Sequence, residues 1–145
     1  MIREISAGLV IAYVEDTKAE YLLLHYPAGH WDFTKGNVEE GEDLLTAALR
    51  EATEETGIKE FKVVKGFQDR IRYFYKRQGE TVMKEVVFFL GIAKTKDVRL
   101  SYEHTGYVWL PFKEALERLT FDSSKQVLKN AHVRLLEYIS QRTLF

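Results

Sequence analysis

The sequence predicts an α+β fold in which a mixed β-sheet lies between helices. β-branched and apolar segments dominate the front of the chain, one helical segment lies in the middle, and two helical segments close the back. Strand-rich and helix-rich stretches separated in this way are typical of α+β domains. The length of 145 residues favours a single domain, 1–145, that buries its core without disulfides or a structural metal.

The composition is that of a globular protein without a strong overall charge. The chain is 46% hydrophobic and 30% charged, with a formal net charge of −1, so no global field attracts nucleic acid or a membrane surface. It contains no cysteine, which excludes disulfides, thiolate zinc sites and cysteine nucleophiles. No apolar run approaches the ~18 residues of a membrane span. Charged residues also interrupt the N-terminal apolar segment, so we expect a cytoplasmic protein.

The chain begins with a predicted β-hairpin. Residues 5–14 are apolar and β-branched, and residues 20–25 return as a second strand after the polar turn Glu15–Lys18. The segment Pro27–Gly29 ends this pattern, and Trp31–Phe33 form a short extended piece. This piece leads into a glycine-punctuated loop that precedes the central helix.

The central helix is predicted between Asp43, a suitable N-cap, and Gly57, which suits the left-handed position after a helix C-terminus. Its apolar residues share i, i+3, i+4, i+7 spacing and should pack on the sheet: Leu45, Ala48, Leu49 and Ala52. Its carboxylates are helical neighbours on another face: Glu51, Glu54 and Glu55. Because like charges at this spacing repel, the pattern indicates a bound cation, and oxygen ligands favour Mg²⁺ or Mn²⁺.

Further strands and two helices complete the predicted fold. The strands cover four ranges: 61–67, 71–75, 82–93 and 107–110. A short helix is expected over 111–119. A final helix, capped by Ser123 or Ser124, should bury an apolar stripe made of Val127, Leu128, Ala131, Leu135 and Tyr138.

The stretch from Gly36 to Ile58 resembles the signature of the Nudix hydrolases at every defined position. Those positions hold Gly36, Glu42, Arg50, Glu51, Ala52, Glu54, Glu55, Gly57 and Ile58. The resemblance implies the Nudix fold, an α/β/α sandwich, and a Mg²⁺-dependent hydrolase that cleaves a nucleoside diphosphate linked to a further group. The alternative is a solvated acidic helix face with ordinary ion pairs, which the glycines and Arg50 in register disfavour.

The carboxylates of the signature are the expected metal ligands. We assign Glu51 and Glu55 to direct coordination, and Glu54 to coordination or to the role of general base. The resemblance adds the backbone carbonyl of Lys35 as a further ligand. Which carboxylate is the base differs among Nudix enzymes and stays open here.

Arg50 and the residues around it are expected to support these ligands. Arg50 lies four residues before Glu54 and is assigned to catalysis, because its guanidinium can orient a carboxylate through two hydrogen bonds. Glu42 is expected to hold Arg50 or a metal-bound water. Gly36 is placed with Glu42 in the surroundings of the ligands.

Outside the signature, the chain resembles the asymmetrical diadenosine tetraphosphate (Ap4A) hydrolases. His30-Trp31 followed by Lys35-Gly36 is similar to the approach of that group to the signature. The chain departs from the group at Asp32–Thr34, where prolines are usual, and at Asn37, where histidine is frequent. We assign His30 and Lys35 to substrate binding.

Downstream residues extend this resemblance. Tyr73 and Lys84 fall where the group places a stacking tyrosine and a phosphate-binding lysine, and Phe121 where a second ring contributes to adenine binding. The segment Ser101–His104 is similar to a segment of the same group, and this resemblance implies that Glu103 is an extra metal ligand or base. Each residue also has a structural interpretation: Tyr73 as a cross-strand aromatic, Lys84 as a solvated strand residue and Glu103 as a loop carboxylate.

These residues predict the hydrolysis of Ap4A to ATP and AMP by metal-activated water. One alternative is a Nudix pyrophosphohydrolase that acts on other nucleotides or on 5′-triphosphorylated RNA ends. Another is a nucleotide-sensing module without turnover, which is expected to lose a signature carboxylate. The expected partner is a nucleotide such as Ap4A or ATP, with no membrane partner and no stable nucleic-acid complex, because the chain lacks a basic run.

Overall fold

The computed structural model describes residues 1–143, which contain one mixed sheet of eight strands and three helices. The strands are β1 (Ile2–Glu15), β2 (Lys18–His25), β3 (Trp31–Asp32), β4 (Thr34–Asn37), β5 (Phe61–Val63), β6 (Asp69–Arg77), β7 (Glu80–Ala93) and β8 (Gly106–Pro111). The helices are α1 (Leu44–Thr56), α2 (Phe112–Arg118) and α3 (Asp122–Thr143). The predicted α+β class and the mixed sheet are confirmed.

Strand β1 organises the sheet because it is long enough to have neighbours along both sides. On one side it runs parallel to β7, from Ile2 opposite Val82 to Ala12 opposite Ile92. On the other side it pairs antiparallel first with β4 and then with β2, which confirms the predicted N-terminal hairpin. Strand β7 also pairs with β5 and β6, and β2 pairs with β3 and β8.

Alternate residues of β1 face two different helical layers. Leu9 and Ile11 belong to a buried cluster that includes Ala52 of α1. Val10 and Ala12 point the other way, into a larger cluster that receives apolar side chains from α2 and α3. The sheet therefore lies between helices on opposite faces, which is the predicted sandwich.

The bounds of α1 agree with the capping residues in the sequence. The Asp43 side chain accepts a hydrogen bond from the Thr46 amide at 2.7 Å, as an N-cap does. Gly57 has φ 75° and its amide donates to Thr53 O at 2.8 Å, which satisfies a carbonyl of the last turn. Helix α1 therefore begins and ends at fixed points, and the positions of its carboxylates follow from them.

Helix α3 closes the other face of the sheet. Its predicted stripe is buried from Val127 to Leu135, Tyr138 is half-buried, and Ile139 extends the stripe by a further turn. Val133 and Leu136 lie on the outer face and are exposed. No helix within residues 1–143 combines the length and the apolar character that crossing a membrane requires.

Three local predictions are wrong. The strand predicted over 61–67 ends at Val63, because the chain turns at Gly66 with φ 84°. The glycine-punctuated stretch before α1 begins as strand β4, which pairs with β1. Ser123 and Ser124 do not cap α3, which begins one residue earlier at Asp122. Ser124 is instead buried, and its hydroxyl donates to a carboxylate on β3.

Candidate active site

The three carboxylates of α1 lie at three different depths. Glu55 is buried, with its side chain 5% exposed, and Glu51 is largely covered at 17%. Glu54 is 56% exposed at the surface. Successive helical positions are rotated by about 100°. The predicted carboxylate face of α1 therefore extends from the side that packs on the sheet to the side that faces solvent. One carboxylate is therefore held inside the fold while another meets solvent.

Gly36 explains how Glu51 fits against the sheet. A Cβ atom added at Gly36 would lie 2.0 Å from Cδ of Glu51 and 2.2 Å from its Oε2. No side chain can occupy that space while the carboxylate keeps its place. The signature glycine is thus required by the close contact between β4 and α1.

Glu55 is a buried carboxyl group that keeps its proton in the absence of a cation. Burial, together with the hydrogen bond and the negative charge of Glu51, raises the pKa of Glu55 to about 9, although the hydrogen bond from the Lys35 amide lowers it. That amide donates to Glu55 Oε1 at 3.4 Å, and His104 Nε2 lies 3.6 Å from the same oxygen. Burial lowers the pKa of His104, which favours the neutral imidazole at this contact.

Arg50 connects the remaining carboxylates. Its Nε and Nη2 donate to the two oxygens of Glu42 at 2.7 and 3.0 Å. Its Nη1 donates to Glu51 at 2.9 Å and to Glu54 at 3.3 Å. Arg50 therefore makes its two-nitrogen contact with the Glu42 carboxylate, whereas Glu54 receives hydrogen bonds from Nη1 alone. The Arg50 hydrogen bonds lower the pKa of Glu42 and hold it ionised.

A cavity of about 500 Å³ opens beside these groups. We call it the carboxylate cavity, and it is lined by Ser6, Tyr26, Lys35, Gly36, Asn37, Glu39, Glu51, Glu54, Tyr73, Lys84 and Glu103. Glu103 is exposed and enters from the loop before β8, so the fold brings it to Glu51 and Glu54. Lys84 donates to Asn37 Oδ1 at 3.1 Å, and burial lowers its pKa.

A second cavity, of about 380 Å³, adjoins the first. This aromatic cavity is lined by His30, Asp32, Lys35, Ile71, Arg72, Tyr73, Val86, Phe88, Phe121, Ser123 and Ser124. His30 stacks on Tyr26 at 4.5 Å and lies 5.3 Å from the ring of Phe121. Tyr73 and Phe121 are 42% and 44% exposed, which leaves both rings free to meet a ligand. The two cavities share Lys35 and Tyr73.

Three residues of the site carry no role in the sequence prediction. Tyr26 donates to Phe33 O at 2.5 Å and contacts the His104 ring edge-on. Asn37 accepts from Ser6 and Lys84 through its side chain, and from Arg50 through its carbonyl. Asp32 is a buried carboxylate between two aromatic residues. Its position inside an extended apolar segment is the one local signal that marks it. Its partner Ser124, and the Ser6 and Lys84 partners of Asn37, lie far away in sequence.

The donor atoms around the carboxylate cavity fit a hard divalent cation. Within the described part of the chain, no three acidic or histidine side chains already stand in a coordinating arrangement. Instead, Arg50 donates to Glu51 and Glu54, and Glu55, whose pKa is raised by burial and by Glu51, holds a proton. Two carboxyl groups that cannot both ionise next to each other accept a cation readily, and carboxylate oxygens suit Mg²⁺ or Mn²⁺.

The comparisons with known proteins agree with this geometry. The NUDIX domain family matches residues 5–131. Bis(5′-nucleosyl)-tetraphosphatase [asymmetrical] of Rattus norvegicus is 38% identical over 129 residues, which is 85% of this chain and 85% of the relative. The crystal structure of a C. elegans Ap4A hydrolase binary complex superposes with a TM-score of 0.79 at 31% identity, covering 91% of this chain and 97% of that one. An RNA pyrophosphohydrolase of Pelagibacter ubique is 28% identical over 122 residues, 76% of this chain and 77% of the relative.

Proposed function

The chain belongs to the NUDIX family, and on that premise we propose that it hydrolyses dinucleoside polyphosphates, converting Ap4A and water to ATP and AMP. The observation that carries this proposal is the connection of the two cavities through Lys35 and Tyr73. A nucleoside seated in the aromatic cavity can extend its phosphate chain past Lys35 into the carboxylate cavity. The similarity to the rat tetraphosphatase and to the worm Ap4A hydrolase structure supports the same substrate class.

We propose that a divalent cation, Mg²⁺ or Mn²⁺, is held by the deep end of the carboxylate cavity. Glu51 and Glu55 would hold it, with the carbonyl of Lys35 beside them on β4, while Glu54 and Glu103 border the open side. When bound, the cation neutralises phosphate oxygens and lowers the pKa of the water that attacks. Glu55 would have to be ionised to hold the cation, because a carboxylate coordinates a metal in its deprotonated form.

The protein itself supplies the base. Glu54 and Glu103 line the open part of the carboxylate cavity. Either carboxylate can take a proton from the attacking water, since each is within the cavity and free of burial. Water adds to one phosphorus, the anhydride P–O bond breaks, and ATP and AMP leave. Arg50 holds Glu51 in place during these steps through its Nη1 atom, which donates to Glu51 at 2.9 Å and to the more exposed Glu54 at 3.3 Å.

Two lysines are placed to bind the phosphates. Lys84 is held by Asn37 at 3.1 Å and lies 3.9 Å from Glu4, so its ammonium group is fixed at the wall of the carboxylate cavity. Lys35 lies between the two cavities. A tetraphosphate is strongly anionic, so cationic side chains are required along its path in addition to the metal.

The nucleoside is proposed to bind among aromatic rings. Tyr73 and Phe121 present exposed rings to the aromatic cavity, and His30 stands beside Phe121. Stacking on an aromatic side chain contributes ~1–3 kcal/mol per base and tolerates different bases. This cavity therefore suits a nucleoside whose base stacks on these rings.

A second candidate is a pyrophosphohydrolase that acts on other nucleotides or on 5′-triphosphorylated RNA ends. The similarity to the RNA pyrophosphohydrolase of Pelagibacter ubique favours this alternative. It would use the same carboxylates and the same lysines. A nucleotide-sensing module without turnover is disfavoured, because Glu51, Glu54 and Glu55 are all present and two of them, Glu51 and Glu54, line the cavity.

A substrate panel tests the proposal. Purified protein is incubated with Mg²⁺ and equal concentrations of Ap4A, ATP, 8-oxo-dGTP, ADP-ribose and triphosphorylated RNA, and initial rates are compared by chromatography. We expect Ap4A to have the highest kcat/KM. No turnover of any compound would overturn the enzymatic function, and a much higher value for triphosphorylated RNA would favour the second candidate.

A further inference from the structure

Asp32 is a charged side chain inside the protein, at the floor of the aromatic cavity. It is 2% exposed, and it lines that cavity together with Lys35 and Ser124. Its Oδ1 accepts hydrogen bonds from the Ser124 hydroxyl and the Phe33 amide, both at 2.9 Å. Its Oδ2 lies 3.4 Å from Lys35 Nζ. A carboxylate at this depth is stable only because all of these donors face it.

The two side-chain partners of Asp32 belong to different parts of the proposed substrate site. Lys35 lies on β4 and lines both cavities, with its side chain 25% exposed. Ser124 is in the first turn of α3, directly after the segment that carries Phe121. Asp32 therefore connects the Lys35 ammonium group, which is proposed to bind phosphate, with Ser124 in the wall of the aromatic cavity, which is proposed to bind the nucleoside.

The geometry leaves Lys35 able to bind a ligand. An ammonium group has three N–H donors, and the contact with Asp32 Oδ2 uses one of them. The remaining donors are available to phosphate oxygens at the junction of the cavities. Without Asp32, the flexible stem of Lys35 would sample several rotamers, and binding would lose the free energy needed to order it.

We propose that Asp32 is a positioning residue: through Lys35 and Ser124 it fixes the phosphate-binding ammonium relative to the aromatic cavity. This inference rests on the proposed function. It predicts that Asp32 sets the affinity for substrates that fill both cavities, and that it acts through Lys35 rather than on the reacting bond.

A double-mutant cycle tests this role. Asp32→Asn, Lys35→Met and the double variant are compared with wild type in steady-state hydrolysis of Ap4A with Mg²⁺. We expect Asp32→Asn to raise KM about five- to tenfold and to change kcat less than about threefold, in line with coupling between contacting residues. In the Lys35→Met background, the same substitution should change KM less than about twofold, because its partner is already gone.

Asp69→Asn is the matched control. Like Asp32, Asp69 accepts a hydrogen bond from the backbone amide of the next residue, at 2.9 Å. It also links a strand to α3, because it accepts a hydrogen bond from the Asn130 side chain at 2.8 Å. It lines neither cavity. We expect Asp69→Asn to leave KM for Ap4A unchanged. The control thereby distinguishes the general effect of removing a strand–helix hydrogen bond from a specific effect on Lys35.

Folding of each variant is checked by circular dichroism. If Asp32→Asn does not fold, the cycle is carried out with Ser124→Ala, which removes a single hydroxyl and should raise KM about two- to threefold. Additive effects of the Asp32 or Ser124 and Lys35 substitutions in an active enzyme would overturn the positioning role and leave the proposed function standing. A wild-type protein that does not turn over Ap4A would overturn both.

Discussion

Arg50 divides its hydrogen bonds among carboxylates that differ in exposure. It holds Glu42 with two nitrogens, and it holds Glu51 and Glu54 with a third. Glu42 is nearly covered at 11%, whereas Glu54 is 56% exposed. Glu42 thus serves as the fixed counter-ion of the guanidinium. Glu54 is less constrained, because its contact with Arg50 is longer and open to water.

The first prediction at the residue scale concerns Glu54. We expect Glu54→Gln to lower kcat for Ap4A by at least ~10²-fold, the scale of a lost general base or metal ligand. The melting temperature should stay within about 2 °C of wild type, because surface substitutions change stability little. Glu40→Gln, an exposed carboxylate in the preceding loop that lines neither cavity, is the control and should keep full activity. A near-normal kcat for Glu54→Gln would remove Glu54 from the mechanism.

The second concerns Tyr73, whose exposed ring borders both cavities. Tyr73→Ala should raise KM for Ap4A with a smaller effect on kcat, because the loss of base stacking costs ~1–3 kcal/mol. Phe74→Ala is the control, since Phe74 is the next residue, is 60% exposed and lies on the opposite face of β6. If both substitutions change KM equally, Tyr73 has a structural role only.

At the scale of secondary structure, the site depends on how closely β4 and α1 approach each other. Gly36 lies on β4, opposite Ala7 of β1, and Glu51 of α1 fills the space above it. The strand is short, and its pairing with β1 fixes its position. The helix is fixed by its cap at Asp43 and by Ala47 and Ala48, which are fully buried. The carboxylate cavity lies where these two fixed elements meet.

A substitution at this contact should reduce activity without removing a functional group. We expect Gly36→Ala to displace the Glu51 carboxylate and to lower kcat about 10²-fold, as misplacement of a reacting group by about 1 Å does. Gly106→Ala is the control, because Gly106 is also in a strand and an added Cβ would lie 3.7 Å from its nearest neighbour, His25 Cβ. Normal activity of Gly36→Ala would show that the close contact is not required for catalysis.

Local sequence signals predicted the elements better than their contacts. Asp43 and Gly57 define α1 because capping depends on residues within one turn. Ser123 and Ser124 carry the same kind of signal, yet Ser124 binds Asp32, which is 92 residues away. Nothing local marks such a contact. The pairing of Tyr73 with Lys84 likewise depends on the hairpin between β6 and β7, whose register is set by the turn at Gln78 and Gly79.

At the scale of the whole molecule, helices from both faces of the sheet contribute residues to the two cavities. Helices α1 and α3 cover opposite faces of the sheet, and the two cavities lie at the edge where β4, β6 and the start of α3 meet. The sandwich was predictable because strand periodicity and helical stripes are encoded along the sequence. The depth of Glu55 and the burial of Asp32 were not, because they depend on which elements pack above them.

Cation binding should stabilise the whole fold. A ligand that binds the native state alone adds about 2.7 kcal/mol at a hundred times its Kd. We expect Mg²⁺ or Mn²⁺ to raise the melting temperature relative to NaCl at equal ionic strength. The double variant Glu51→Gln, Glu55→Gln should lose most of this increment, since it removes both deep carboxylates. Glu85→Gln should retain it, because the Glu85 carboxylate binds Arg70 and Arg72 and lines neither cavity. An equal increment in the two variants would place the cation elsewhere.

The most direct measurement is the product ratio of Ap4A hydrolysis over time, with Mg²⁺ and with the chelator EDTA. The joined cavities predict that AMP and ATP form in equal amounts from the first time point, without ADP. EDTA should abolish the reaction, because the carboxylate cavity then lacks its cation. Symmetrical cleavage to ADP, a rate that EDTA does not change, or no turnover at all would contradict the account.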